Sequence, residues 1–484
     1  MLKRWKRNNN IRRWLVLAMV AMPPLTGWGQ AWLTLEGVIR QAQDSAITVF
    51  QSRQEYQSQQ ASYESFEALR KPQLSLKVVP NYARIVSDPT RDYVYLRNFD
   101  ILSTSAQLTL SQKVLSFGGE AYVGTQAIWS EFFREEASGH PRQFVTSPLL
   151  VGYSHSLLGY NPFRWEKQVE DQRQRTARHQ HEYNLRRIAE EAAVRYIRLA
   201  CQQRMVQLRQ EEWGLNDTLL AIAREKATIA IVTQQEIHTM ELQLQNSANL
   251  LAAARKDEQK ARAELASLLR IDEIPRDLPL LDIPELPPPA HYTLEEATLM
   301  ARSNSPAYQQ QIAELTEARH LEEKARKERG INVGLDINLG LQQVNSSLGN
   351  AYKEQRLYAL GAVQLTIPLI DHGAAKKRHA AAEAWEKRQE WALEEAGRLL
   401  TEDVTVTLQR LHDSRQMLER TGQTIKLAES HFYETVENYA NGLCDINTFS
   451  LGQNLWVTAY SNYLAALEDF WTAHYHLQTL IQHE

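Results

Sequence analysis

The sequence predicts a mainly α fold with a transmembrane β-barrel portion, and three observations predict it. A helix-and-strand plan in the first half returns in the second half. Helical periodicity runs unbroken over stretches much longer than an ordinary helix. Between these stretches, the ten residues INVGLDINLG, Ile331 to Gly340, alternate apolar with polar or glycine at every step, the period of a strand whose two faces meet different surroundings.

The chain has 484 residues, of which 43% are apolar, enough to bury a core. Lys3, Arg4, Lys6, Arg7, Arg12 and Arg13 precede the apolar run WLVLAMVAMPPL and small residues around Gly27, Gly29 and Ala31. Residues 1–30 therefore read as a cleavable secretion signal, with Pro23 and Pro24 cutting the run short of an anchoring helix. No Cys follows the run to take a lipid. Without these residues 48 basic groups face 58 acidic ones, a formal charge of −10, which disfavours a nucleic-acid partner. Cys201 and Cys444 lie far apart without metal-ligand spacing, and both read as packing residues.

The first repeat covers residues 31–272. A shift of 259 places TLEGVIRQA (Thr34 to Ala42) over TLEEATLMA (Thr293 to Ala301), and QLSLKV (Gln73 to Val78) over NVGLDI (Asn332 to Ile337). A shift of 212 places VGYSHSLLGYNPFRW (Val151 to Trp165) over VQLTIPLIDHGAAKK (Val363 to Lys377) and runs on to the last helix. The first copy thus holds 47 extra residues between its strands. Each copy reads helix, strand, strand, very long helix, turn, helix. Asn161-Pro162 starts a helix that persists to about residue 229, a span of about 100 Å at 1.5 Å per residue. TQQE, Thr233 to Glu236, has the form of a capping box and opens a return helix to about Leu269. That helix is too short to line its partner, and the helix from about Ala46 to Arg70 supplies the missing length if the two stack end to end.

Residues 273–292 form a proline-rich linker: IPRDLPLLDIPELPPP holds six prolines and cannot be helix or inner strand. The second repeat, residues 293–484, restates the plan. Leu199, Val206, Trp213 and Leu220 in one copy, and Leu411, Leu418, Ile425 and Phe432 in the other, fall seven apart and predict a long antiparallel coiled-coil seam. The alternate positions, Gln203, Gln210 and Asp217 with Arg415, Gly422 and Glu429, are polar or glycine. Either a hollow tube of helices lets them face water, or they form a solvated face beside a narrow apolar contact.

In INVGLDINLGLQ, Ile331, Val333, Leu335, Ile337, Leu339 and Leu341 share one face. The return strand Leu357 to Leu369 alternates in the same way, as do Leu74, Leu76 and Val78 and then Leu149, Val151 and Tyr153 in the first copy. This pattern fits a bilayer-spanning barrel strand, though an amphipathic sheet in water shares it. The segment Tyr82 to Trp165 holds 14 of the chain's 41 aromatic residues, as interfacial girdles require. Within the extra 47 residues, AQLTLSQKVL (Ala106 to Leu115) and EAYVGTQAIW (Glu120 to Trp129) read as a second hairpin in the wall in preference to an external loop. Neither four nor six strands close a barrel of ordinary width, and lipid forbids an open edge. Several chains must share one barrel.

On this plan, and on the motifs QLTIPLIDHG (Gln364 to Gly373) and ENYANGLCDINTF (Glu437 to Phe449), the chain resembles the TolC-like outer-membrane efflux and secretion channels over essentially its whole mature length. The resemblance implies a homotrimer with a barrel in the outer-membrane lipid of a Gram-negative bacterium and a periplasmic helical tunnel. The tunnel's far end would dock a periplasmic adaptor, a membrane fusion protein, and an inner-membrane pump. Such a chain is the passive channel of a tripartite efflux pump or type I secretion system and exports small molecules or proteins. The family's tunnel tip carries a Tyr, a Gly three residues on, then an Arg and two Asp. Here Tyr439 and Gly442 match, Cys444 takes the Arg position, and Thr448 and Leu451 take the Asp positions. The first copy has Ala227 and Ala230 in place of Tyr and Gly, with Glu236 at the first Asp position. The expected aperture and adaptor-docking set is therefore Ala230, Thr233, Glu236, Tyr439, Gly442, Asp445 and Thr448, with Glu236 and Asp445 supplying acidic charge. Asp445 also reads as an N-cap, and Glu236 as half of a capping box.

No catalytic arrangement, cofactor motif or nucleotide loop is expected. His179 with His181, and His474 with His476, are two apart on helices and diverge, so no metal site is expected. The competing reading is a periplasmic coiled-coil adaptor or scaffold, which would carry one helical hairpin between compact β modules.

Overall fold

The computed structural model describes residues 33–85, 99–114, 118–133, 142–157, 160–227, 232–276, 278–289 and 292–481. The expected secretion signal and Ala230 lie outside them. In chain order the elements are α1 (Leu35–Ser45), α2 (Ile47–Leu69), β1 (Gln73–Ile85), β2 (Phe99–Val114), β3 (Gly119–Phe132) and β4 (Arg142–Ser156). Next come α3 (Pro162–Ala227), α4 (Gln234–Leu269), α5 (Leu294–Asn304), α6 (Pro306–Glu328), β5 (Asn332–Asn345), a single turn α7 (Leu348–Ala351) and β6 (Arg356–Thr366). Two long helices, α8 (Ala374–Ala440) and α9 (Ile446–Ile481), end the chain.

The sequence repeat reappears in these bounds. Helices α1 and α2 recur as α5 and α6 at an offset of 259, and α4 recurs as α9 at an offset of 212, each with the same first and last positions. Local signals set the boundaries. Thr293 and Glu296 form a reciprocal cap at the start of α5 (Thr293 N donates to Glu296 Oε2 at 3.1 Å, Glu296 N to Thr293 Oγ1 at 3.2 Å). Asn161 Oδ1 accepts the Phe163 amide at 3.1 Å, and Pro162 occupies the first helical position of α3.

The chain divides into two compact units, each built from both repeats. One comprises residues 33–53, 181–304 and 400–481 of the described chain. Its main core packs Val38 and Ala42 of α1, Tyr196 and Leu199 of α3, Leu265 and Leu269 of α4, and Phe470 and Trp471 of α9 around Ile274 of the linker. Asn304, buried at the end of α5, donates its side-chain amide to the Ile481 carbonyl at 3.0 Å. The last helix of the second repeat thus ends against the α5–α6 break. Of the polar seam positions, Gln210, Asp217 and Glu429 are exposed as either reading expects, and two depart. Gln203 is buried with its Oε1 accepting the Leu281 amide at 2.9 Å, and its repeat counterpart Arg415 donates to the Pro287 carbonyl at 2.9 Å. Both hold the proline linker, whose irregular backbone offers the donors and acceptors that a second helix would not. The apolar seam departs too: Trp213 is 38% exposed, and Leu208, Leu219 and Ala223 are buried instead.

The other unit, residues 54–180 and 305–399, holds the sheet. Six strands form one antiparallel meander in the order β1-β2-β3-β4-β5-β6. The 47 extra residues supply β2 and β3, paired along their whole length from Ile101↔Phe132 to Val114↔Gly119. Register places Leu74, Leu110, Val123, Val151 and Leu339 in one cross-strand row; beside it Leu76, Leu108 and Thr125 align across β1–β3 and Leu149 aligns with Leu341, the two parts meeting at the β3–β4 register shift. These rows form a continuous apolar face. The other face carries Ser75, Thr109, Gln126, Ser154, Asn338 and Gln364. The register shift in β4 falls between Thr146 and Leu149, around Pro148, which has no N–H for the ladder.

Candidate functional site

Of the expected tip residues, those that the structure describes lie at the two ends where long helices turn back. At the α8–α9 turn, Leu443 N donates to the Asn438 carbonyl at 2.8 Å and Gly442 N to the Tyr439 carbonyl at 3.1 Å. This closes the helix with a left-handed residue, Gly442 at φ 72°. Asp445 then caps α9: its Oδ1 accepts the Thr448 amide at 2.9 Å and the Thr448 hydroxyl at 2.6 Å. Those two bonds, the hydroxyl's first, hold the Asp445 carboxyl below its ordinary range.

At the α3–α4 turn, Thr233 and Glu236 make a reciprocal capping box. Glu236 Oε2 accepts the Thr233 amide at 2.8 Å and its hydroxyl at 2.9 Å, and Thr233 Oγ1 accepts the Glu236 amide at 3.2 Å. Both acidic residues therefore serve as helix caps, as their positions in the sequence allowed.

The structure brings the two turns together through Tyr439. Its ring lies 5.4 Å from that of Phe449, and its hydroxyl lies 3.8 Å from Met240 Sδ on α4. Burial, with Glu236 nearby, raises its pKa. Beneath it Phe432 and Trp456 stack at 4.5 Å, and Leu219, Leu220, Ile237 and Phe449 fill the cluster. The sequence reading missed this anchor. Aromatics seven apart in α9, Phe449 and Trp456, carried the signal.

Cys444 is half-buried, with Sγ 3.7 Å from the Thr435 carbonyl, and Leu443 and Leu451 are exposed. At the other expected packing cysteine, Cys201, burial pushes the thiol up to about 12, leaving it inert at neutral pH.

The second candidate surface is the sheet. Apolar positions Ile331 to Leu341 on β5 and its approach span about 33 Å along the strand at about 3.3 Å per residue, and a tilt of about 40° projects this to about 25 Å, the height of an outer-membrane apolar band. On the polar face, Gly152 and Gly340 leave room for the Tyr122 and Tyr358 rings, and Tyr122 donates its hydroxyl to Asn338 Oδ1. Among the described residues no helix is long and apolar enough to cross a membrane, and no group of three or more His, Cys, Asp or Glu is placed to hold a metal ion.

No protein-family model and no curated protein matches the chain. Solved structures do. CusC, described in connection with transmembrane channel formation, aligns over 96% of this chain and 96% of its own at 12% identity with a TM-score of 0.64. The Campylobacter jejuni outer-membrane channel CmeC aligns over 92% of this chain and 85% of its own at 11% identity and a TM-score of 0.64. The open-state Neisseria gonorrhoeae outer-membrane channel MtrE aligns over 95% and 93% at 14% identity and a TM-score of 0.62. Each alignment covers more than nine-tenths of this chain, and the chain has the fold of these outer-membrane channel proteins.

Proposed function

We propose that the chain is the outer-membrane channel of a tripartite export system, a passive conduit for small molecules or proteins driven by a separate inner-membrane pump through a periplasmic adaptor. One observation carries this reading: a six-stranded antiparallel sheet with a continuous apolar face and two edges, β1 and β6, that are unpartnered among the described residues. Such edges cannot persist in lipid, so copies of the chain, three as the family resemblance implies, complete the cylinder in the outer membrane of a Gram-negative bacterium. A periplasmic adaptor or scaffold has no use for this sheet.

The tip supplies the docking end. Thr233, Glu236, Tyr439, Gly442, Asp445 and Thr448 line the two turns that meet the adaptor, and Ala230 belongs to the same turn in sequence. With Cys444 at the Arg position and Thr448 and Leu451 at the Asp positions, closure relies on packing around Tyr439 in place of ion pairs. Membrane fractionation tests the reading: heat-modifiable trimers in the outer-membrane fraction are expected, and recovery as a soluble periplasmic monomer overturns it. A photo-crosslinker at Tyr439 or Gly442 should capture the adaptor, and capture only from sites on the sheet would move the docking end elsewhere.

A further inference from the structure

The β2–β3 hairpin carries an inference that rests on the channel reading and goes beyond it. We propose that this hairpin is part of the membrane wall, that β6 of one copy adds to β1 of the next, and that a three-copy ring therefore closes as an eighteen-stranded barrel.

Four observations lead there. First, β2 and β3 repeat the two-faced pattern of their neighbours in register: Leu108, Leu110 and Val123 continue the apolar rows that run from β1 to β6. A hairpin standing in water has no need of that match. Second, β1 and β6 are 13 and 11 residues long, exposed, and, among the described residues, paired along one edge only. Strands of about 9–11 residues cross a bilayer, whereas edges in water are kept short or guarded. Third, an antiparallel meander of six strands starts and ends in opposite directions, so β6 meets the next β1 antiparallel.

The fourth observation is the width of the wall within this one unit. Its helical segments stand in a row. Tyr63 of α2 donates to Asp171 of α3 at 2.8 Å, Trp165 of α3 to Glu323 of α6 at 2.8 Å, and Arg319 of α6 to Glu390 of α8 at 3.3 Å. The row ends in α2, which leads into β1, and α8, which follows β6, so both layers are open on the same two sides. Helices pack about 10 Å apart, so four take up about 40 Å of circumference. Strands about 4.8 Å apart and tilted by about 40° each take up about 6.3 Å. Six strands therefore supply about 38 Å and four only about 25 Å. The extra hairpin brings the sheet's share up to that of the helices, so the lumen need not narrow where it enters the membrane, and eighteen strands enclose a barrel about 36 Å across. Its lumen face in β2 and β3 carries Gln107, Thr109 and Gln126 at mid-strand, with Lys113 opposite Glu120 toward the β2–β3 turn.

Spin labels on the full-length protein in liposomes test this, after Cys201 and Cys444 are changed to Ser. Labels at Leu108, Leu110 and Val123 should be relaxed several-fold more by lipid-dissolved oxygen than by an aqueous nickel chelate, and labels at Gln107, Thr109 and Gln126 the reverse. Leu339 and Asn338 on β5 serve as the control pair. If β5 alternates but β2 and β3 are reached by the aqueous reagent on both faces, the hairpin lies outside the wall and this inference fails alone. If β5 does not alternate either, the channel reading fails with it. Electron-microscopic images of the reconstituted assembly should show eighteen strands, and twelve would overturn the proposal.

Discussion

Gly422 within α8 and Gly442 in the turn just after it show how one residue type does opposite work. At Gly442 the turn needs a left-handed backbone, and an added Cβ would meet open space, so Gly442→Ala should lower stability by about 1–2 kcal/mol through backbone strain alone. Gly422 sits within α8, where an added Cβ finds Tyr463 at 3.8 Å, an ordinary contact, so Gly422→Ala should raise stability by up to about 1 kcal/mol. Urea unfolding of the two variants checks the pair, and equal signs would refute the assignment. His476 adds a pH-dependent contact: its Nδ1 lies 2.9 Å from Glu190 on α3 and its Nε2 3.8 Å from Asp403 on α8. The Glu190 hydrogen bond, chiefly, raises its pKa above the ordinary 6.5. A raised folded value means folding takes up a proton, so the stabilisation is full below about pH 6.5 and is lost as pH climbs through the folded value. The thermal-melt gap between wild type and His476→Gln should therefore be widest near pH 6 and close at alkaline pH. Caps such as Asp445 and Thr233 were legible because their signals lie within four residues. The partners of His476 were not, because Glu190 and Asp403 lie far away in the chain.

At the scale of elements, the long helices were legible nearly to the residue, because Asn161-Pro162 and the Thr233 capping box are local signals and because the repeat supplies each bound twice. The seam was legible only in part. Heptad spacing placed Leu199, Leu220, Leu418 and Phe432 correctly in the interior, yet Trp213 lies outside and Gln203 lies inside. Spacing along one helix cannot reveal that a proline segment from elsewhere supplies the bonding partner. That partner makes a prediction. Gln203→Met keeps the bulk but leaves the Leu281 amide, at a residue only 5% exposed, without its acceptor, a loss of about 1–3 kcal/mol. Arg415→Met removes the corresponding bond at a side chain 25% exposed, where water can replace it, and should cost less. Comparable losses from both, measured by urea unfolding, would mean that the linker contacts act through something other than satisfying a buried amide.

For the whole molecule, the sequence shows that strands exist and which face is apolar, because alternation is written residue by residue, but it does not show strand order or where pairing stops. The six-stranded meander with β1 and β6 at its edges comes from the structure alone, since any closed or open arrangement of these strands would have the same period. The two faces nonetheless predict an asymmetry that no soluble sheet would share with a membrane wall. Leu339 and Asn338 are adjacent on β5 and face opposite sides, and across from them on β6 are Ala359 and Leu360. If the Leu339 side meets hydrocarbon, Leu339→Arg should cost about 2–4 kcal/mol near the midplane and lower the yield of assembled oligomer in membranes. Asn338→Arg, facing a water-filled lumen, forfeits the Tyr122 hydroxyl bond but buries no charge in hydrocarbon, so it should assemble far better than Leu339→Arg and change the conductance of the channel in planar bilayers. In a sheet whose faces stand in water the penalties would follow burial within the chain instead. Leu339 is 47% exposed in the isolated chain, so Leu339→Arg would then be tolerated, and assembly of that variant at wild-type yield would exclude a lipid-facing wall.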